Sequence, residues 1–493
     1  MMKAMSRKGW LLALMLSAVL KMSAWRSVDN AALSESERIR LADYEVSVKT
    51  GSGEWRKVKV EGALVSNIDR REENWGDTLG HKRTLMGFAM FTDPFRKAVK
   101  VRIRRQGEVF RAVEVRPTAL GIRSRRVDER TVELTLHSPK EKVSVEFDGD
   151  RDHNLFIIPD LPEEKPTEAE GRRVIYYGQG EHEVGEIRLE SGDLLYVDEG
   201  ATVYGRITAR NAQNIGVRGR GIICGSRSVH DMKRRQTMIH FQGCSQIEVS
   251  GVMFRGSPSW TLAFYGCTGL RMDNVKQICW MVNSDGMDLC NTRDVSIKDC
   301  FQRNYDDNIS LKNFDGSQST ENVDMQDCTL WADCAHNLLV GPETRAHLEM
   351  KNVSFRNIQI LEGRETAYPY RGAMAVMCSD DGRFSNIGFQ NITLDHVRGA
   401  QIFAVEFCTY VRMGVGLRNV SLRKVNYLGS DAQLPKSTVK GLDCDHRVEN
   451  FHLQDLRVNG RKVTPKNAAH YLETNEFVSQ LQVNGKNVEA LNH

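Results

Sequence analysis

The sequence predicts an all-β chain: a right-handed parallel β-helix preceded by an N-terminal β-sandwich. Three observations carry that expectation. Residues 40–158 alternate apolar and polar side chains with period two, the pattern of half-buried strands. Beyond residue 172 one short strand-like motif recurs down the chain. No helical stretch separates its copies. At 493 residues the chain is too long for one ordinary core, and one modest domain plus one long solenoid accounts for it.

Taken in order, residues 1–24 read as a secretory signal. Lys3, Arg7 and Lys8 precede an apolar stretch from Gly9 to Leu20, and Ala24 is a small residue for cleavage. The stretch is too short to span a bilayer. Secreted or periplasmic placement is therefore expected, with no membrane span after cleavage. Residues 25–158 form the sandwich, with strands expected at Tyr44–Val48, Ala98–Ile103, Thr131–Leu136 and Val143–Phe147. Residues 159–171, rich in Pro and Glu, read as a linker. Residues 172–493 form the β-helix. Its motif is apolar–x–apolar–x–(Asn, Asp or Gly)–apolar, clearest from Ile247, Leu270, Val295, Val323, Leu348, Ile387 and Val415. With weaker copies at Ile215, Phe451 and Leu481, the starts lie 23 to 39 residues apart, within the range of stacked repeats. The apolar positions should point inward. The Asn at the bend should hydrogen-bond its equivalent one coil away.

Lys and Arg total 68 against 64 Asp and Glu. That near balance gives no electrostatic case for nucleic acid. The 11 cysteines begin only at Cys224, inside the predicted solenoid. Cys300 and Cys328 stand where other copies carry Val or Ile, so they read as buried stack fillers. The pair Cys328 and Cys334 leaves a disulfide open. No metal-type spacing occurs, and no cofactor is expected. The chain is expected to act as a monomer.

Two segments inside the ladder carry acids: Asn283-Ser-Asp-Gly-Met-Asp288 and Asp306-Asp307-Asn308. Asp285 and Asp306 are 21 residues apart, about one short coil, which puts them on neighbouring coils of one face. A lateral offset could bring them to the roughly 6.5–9.5 Å that inverting glycosidases use. Carboxylates this close cannot all ionise, so one should keep its proton. Asp288 is read as structural. Trp280, just before Asn283, is the better aromatic candidate for stacking on a sugar, and Trp260 reads as core.

Asn283-Ser-Asp-Gly followed by Asp306-Asp307 resembles the signature of glycoside hydrolase family 28, the polygalacturonase-like enzymes, over roughly residues 172–430. The resemblance implies a right-handed parallel β-helix that hydrolyses a polysaccharide by single displacement, with inversion. Asp306 resembles the general acid, and Asp285 and Asp307 the pair that activates water. His336, in Ala335-His-Asn337, stands where the family has Gly-His-Gly, and would orient the acid or bind substrate. The family's Arg-Ile-Lys is absent; Arg371 and Lys312 are the candidate substrate contacts, with Asn283. A sandwich before a β-helix also resembles glycoside hydrolase family 49, the dextranases and isopullulanases, which would imply an α-glucan. Two further classes stay open: a calcium-dependent polysaccharide lyase and a noncatalytic glycan-binding β-helix.

Overall fold

The computed structural model describes residues 43–66, 83–167, 171–228, 236–345, 347–365, 372–430, 432, 434–489 and 491. Residues 1–24, expected to be a signal, and Arg371, expected to contact substrate, lie outside the described residues.

The period-two segments pair into two five-stranded sheets. One runs in the order Arg56–Val58, Tyr44–Thr50, Val99–Arg105, Thr131–Leu136, Arg125–Arg126. The other runs Glu61–Ser66, Arg83–Thr92, Leu155–Asp160, Val143–Phe147, Val113–Arg116. Strands Arg83–Thr92 and Leu155–Asp160 pair in parallel. Alternation puts Val46, Val48, Val99, Val101, Ile103, Val132 and Leu134 between the sheets. The last strand reaches Asp160, so Pro159 and Asp160 belong to the sandwich and not to the connection as expected. Asp160 is fixed there by Lys276 and by Asn274 Nδ2, 2.7 Å from its Oδ1.

From Arg173 onward the chain winds as a right-handed parallel β-helix with three faces. Face I includes Leu262–Tyr265, Met287–Cys290, Ile309–Lys312 and Leu338–Val340. Face II includes Thr268–Asp273, Arg293–Lys298 and Glu321–Gln326. Face III includes Lys276–Cys279, Phe301–Asn304 and Thr329–Ala332. Each strand pairs in parallel with its equivalent on the next coil. Inward residues of the three faces form one apolar core along the axis, interrupted on face III by the buried Gln277 and Gln302.

The bend asparagines do form ladders, but there are two. Asp294, Asn322, Asn352, Asn386, Asn419 and Asn450 bond in series where the chain enters face II, each amide donating to the side-chain oxygen one coil before it, at 2.7–3.1 Å. Asp327, Asn357 and Asn391 form the second where the chain leaves face II. All of these hold φ near +55°, the left-handed conformation that Asn and Asp tolerate best among side-chain-bearing residues. The eleven cysteines are free thiols; Cys444 is exposed and the other ten are buried. Cys328 and Cys334 are therefore not joined.

The sandwich lies on face III. Ala63, Val65, Met86, Phe88, Phe156 and Ile158 share one apolar cluster with Ile222, Met253, Ile278, Phe301 and Trp331. Sandwich side chains also latch the corner between faces II and III. Lys276 and Asn274 take Asp160; Lys142 Nζ donates to Asp299 at 2.7 Å; Lys140 Nζ lies 3.2 Å from Asp327.

Candidate active site

Three successive turns run from face III to face I: residues 280–286, 305–308 and 333–337. They carry the predicted acids and His336. Met287 pairs with Ile309, and Ser310 with Leu339. Continuing the first register back two residues and the second back three sets Asp285 opposite Asp307, and Asp307 opposite His336. Gly286 N–H to the Asp307 carbonyl (2.7 Å) and Asn308 N–H to the His336 carbonyl (2.9 Å) extend the ladder through the turns. The coil before places Trp260 opposite Asp285 by the same register. Asp285 thus stacks on Asp307, not on Asp306, which projects one position to the side.

Local sequence explains how the turns hold. Asn283 takes φ +58°, and Ser284 N–H closes a turn onto the Met281 carbonyl at 2.9 Å. Gly286 has no room for a side chain: a Cβ there would lie 2.5 Å from Asn304 Nδ2 and from the Asn308 carbonyl oxygen. Beneath the turns, Asn304 Nδ2 donates to Asn308 Oδ1 (2.9 Å), and Asn308 Nδ2 to Asn337 Oδ1 (2.9 Å). These amides are fully buried and pin consecutive turns at one height.

The result is a compact acidic cluster. One carboxylate oxygen from each of Asp285, Asp306 and Asp307 lies within 4.8 Å of the others. That is closer than the expected 6.5–9.5 Å, because Asp285 and Asp307 sit one rung apart with no lateral offset and Asp306 adjoins Asp307 in the chain. Asp285 and Asp307 are 3% and 8% exposed, whereas Asp306 is half-buried. Burial drives the Asp285 carboxyl well above its usual range, and the charges of Asp288 and Asp306 add to it. Burial acts on Asp307 too. It is outweighed by the charge and hydrogen bonds of His336, which hold Asp307 below its usual value. His336 Nδ1 and backbone N–H lie 2.7 and 3.0 Å from Asp307 Oδ1. The cluster therefore contains one acid that favours its proton beside one that favours its charge.

The remaining predicted site residues fall in different places. Asn283 borders the cluster, its Oδ1 buried with no hydrogen-bond partner among the described residues. Lys312 is only 3% exposed, so it lies beneath the cluster and presents little surface to a substrate. Trp280 is buried with Met281 under Leu64 and Leu85 of the sandwich; its ring buttresses the first turn, which leaves little of it open to a sugar. Trp260 is also buried, with the Lys312 Nζ 3.9 Å from its ring centroid. Sequence reasoning missed two members. Asp288 faces away from the coil core, between the inward Met287 and Leu289, and pairs with Lys312 at 2.9 Å. Glu343 pairs with Lys312 at 2.8 Å. Strand alternation from Met287 could have shown the direction of Asp288; nothing in the motif pointed to Glu343.

Residues 187–475 match the profile of glycosyl hydrolases family 28. The chain belongs to that family. The lyase and the noncatalytic binder therefore fall away, and the family 28 protein is a polysaccharide-degrading glycoside hydrolase. Among solved structures it is similar to Dex49A from Penicillium minioluteum, at 15% identity and a TM-score of 0.61 over 93% of this chain and 96% of that one. It is also similar to a hyperthermoactive exopolygalacturonase from Thermotoga maritima, at 15% identity and a TM-score of 0.50 over 65% of this chain and 86% of that one. At such identities the likeness is one of fold: the first extends through the sandwich, the second covers about the length of the β-helix. Among the described residues no helix is long and apolar enough to cross a membrane.

Proposed function

We propose that this protein is a secreted, inverting hydrolase of a pectic, polygalacturonate-type polysaccharide. Asp306 acts as general acid, and Asp285 and Asp307 hold and activate the water. The unequal exposure of the three acids carries the assignment of roles. Half-buried Asp306 is placed to reach a leaving oxygen on a sugar above the face. Asp285 and Asp307, sunk one rung apart, suit the holding of a water better than direct attack on the anomeric carbon. Asn283, and Arg371 beyond the described residues, are the proposed substrate contacts.

A second reading, hydrolysis of an α-glucan, is favoured by one observation: the similarity to Dex49A spans sandwich and β-helix together. Incubation with polygalacturonate and with dextran, with reducing ends as the readout, separates the two substrates. Proton NMR of the first product should show the anomeric configuration inverted. Initial retention would overturn the mechanism whichever glycan is cut.

A further inference from the structure

We propose that Lys312 is a positioning residue: a buried cation that eases ionisation of Asp285 and so biases the cluster's proton toward Asp306. The inference rests on the aspartate roles proposed above and adds to them the element that decides where their shared proton sits.

The geometry is that of an internal counter-ion. Lys312 ends a face I strand, and its Nζ lies 2.8 Å from Glu343, 2.9 Å from Asp288 and 3.8 Å from Asp285. The Trp260 ring covers it from the coil before. The charged and titratable groups facing Lys312 include Asp285, Asp288, Glu343, Asp307 and the Cys290 thiol. Those facing Asp285 include Asp288, Asp306, Asp307, Lys312 and the Cys290 thiol. Lys312 is thus the positive group in a pocket of carboxylates. Burial opposes its charge, yet Asp288, Glu343 and Asp285 hold its proton affinity well above the ordinary lysine value.

The reaction requires a particular arrangement of the cluster's proton. A general acid at Asp306 must carry the proton, and a base at Asp285 must not. Burial alone favours the opposite, with the proton on the deeper Asp285. A fixed positive charge 3.8 Å from Asp285 and shielded from water works against burial, drawing part of the proton's preference away from Asp285. Asp288 and Glu343 hold the ammonium in place without reaching a substrate. Glu343, the more exposed of the two, competes with Asp285 for the same charge.

Two substitutions with opposite expected signs test this. In Lys312→Met, Asp285 should ionise at higher pH. The acidic limb of kcat should then move up by about one pH unit or more, KM should change less than threefold, and Lys312→Arg should restore most of the wild-type profile. In Glu343→Gln the limb should move down. Polygalacturonate and dextran serve as substrates. As a readout independent of turnover, the carboxyl carbon-13 signal of Asp285, identified through Asp285→Asn, should titrate at higher pH in Lys312→Met than in wild type. An unshifted Asp285 titration overturns the proposal. So does a rise in KM with an unmoved limb, which would make Lys312 a substrate contact. If Lys312→Met does not fold, an unmoved or upward limb in Glu343→Gln overturns it equally. Failure of the aspartate roles themselves is distinguishable, because it would appear as retained turnover in Asp306→Asn.

Discussion

Asp306 and Asp307 are neighbours in sequence and opposites in setting. The first is half-buried; the second is held ionised by His336 against its own burial. Replacing Asp306 by Asn removes the transferable proton while keeping shape, and should lower turnover by about 10²–10⁴-fold with the melting temperature little changed. Substantial residual hydrolysis of whichever glycan the wild type cuts would remove Asp306 from the acid role. Asp288 makes a different prediction. Burial lifts its carboxyl to about 7 even against Lys312, from an ordinary value near 3.9 in the unfolded chain. Between those values the folded state binds more protons than the unfolded one, so stability falls as pH rises. Asp288→Asn abolishes that titration. Wild type should therefore lose melting temperature relative to the variant between about pH 4 and pH 7, and a constant difference across that window would contradict it. The acids themselves were legible because a motif fixed them. Their partners were not, since Lys312, Asp288 and Glu343 meet only through strand register and a loop closure that no local pattern encodes.

Between the residue and the fold stands the coil, and here the sequence was legible in kind but not in phase. The motif merged two corners. Copies from Leu270, Val295, Val323 and Ile387 end at the corner leaving face II, but those from Leu348 and Val415 end at Asn352 and Asn419, on the corner entering it. Val323 is in fact opposite Val353, and Ile387 opposite Val420. Both corners use the same residue type for the same reason, a left-handed bend with an amide free to bond along the axis, so the pattern could not separate them. Asn352 tests what a rung contributes. Its amide donates to Asn322 and its oxygen accepts from Asn386, at φ +57°. Asn352→Ala should cost about 1–3 kcal/mol, combining two exposed hydrogen bonds with a side chain poorly suited to that φ. Asn352→Gly relieves the backbone alone and should recover part of the loss. Equal melting temperatures for the two variants would mean that the ladder bonds contribute everything and the bend nothing.

For the molecule as a whole, composition and patterning separated sandwich from solenoid but could not show that they share a core, because the residues that join them are ordinary strand residues of each. Phe156 of the sandwich meets the Phe301 and Trp331 rings edge-on at 4.8 and 6.0 Å. Trp331 also carries the buried guanidiniums of Arg116 and Arg303, 4.8 and 4.1 Å from its ring. Arg303 reaches back to sandwich Asn154 at 2.8 Å and forward to Asp333 at 3.0 Å. It stands three residues before Asp306, and Asp333 three before His336, so the interface runs directly under the turns that hold the acids. Leu64 and Leu85 complete the contact against Trp280. A seam with this much apolar area and buried charge should not open independently of either part. Calorimetry should accordingly show one unfolding transition. Phe156→Ala should lower it by about 3–5 kcal/mol, the usual cost of emptying an aromatic core site, while moving sandwich and β-helix together. Two separable transitions, with the β-helix melting as in wild type, would show that the sandwich is an appendage; one shifted transition would make it part of the scaffold on which the aspartates are held.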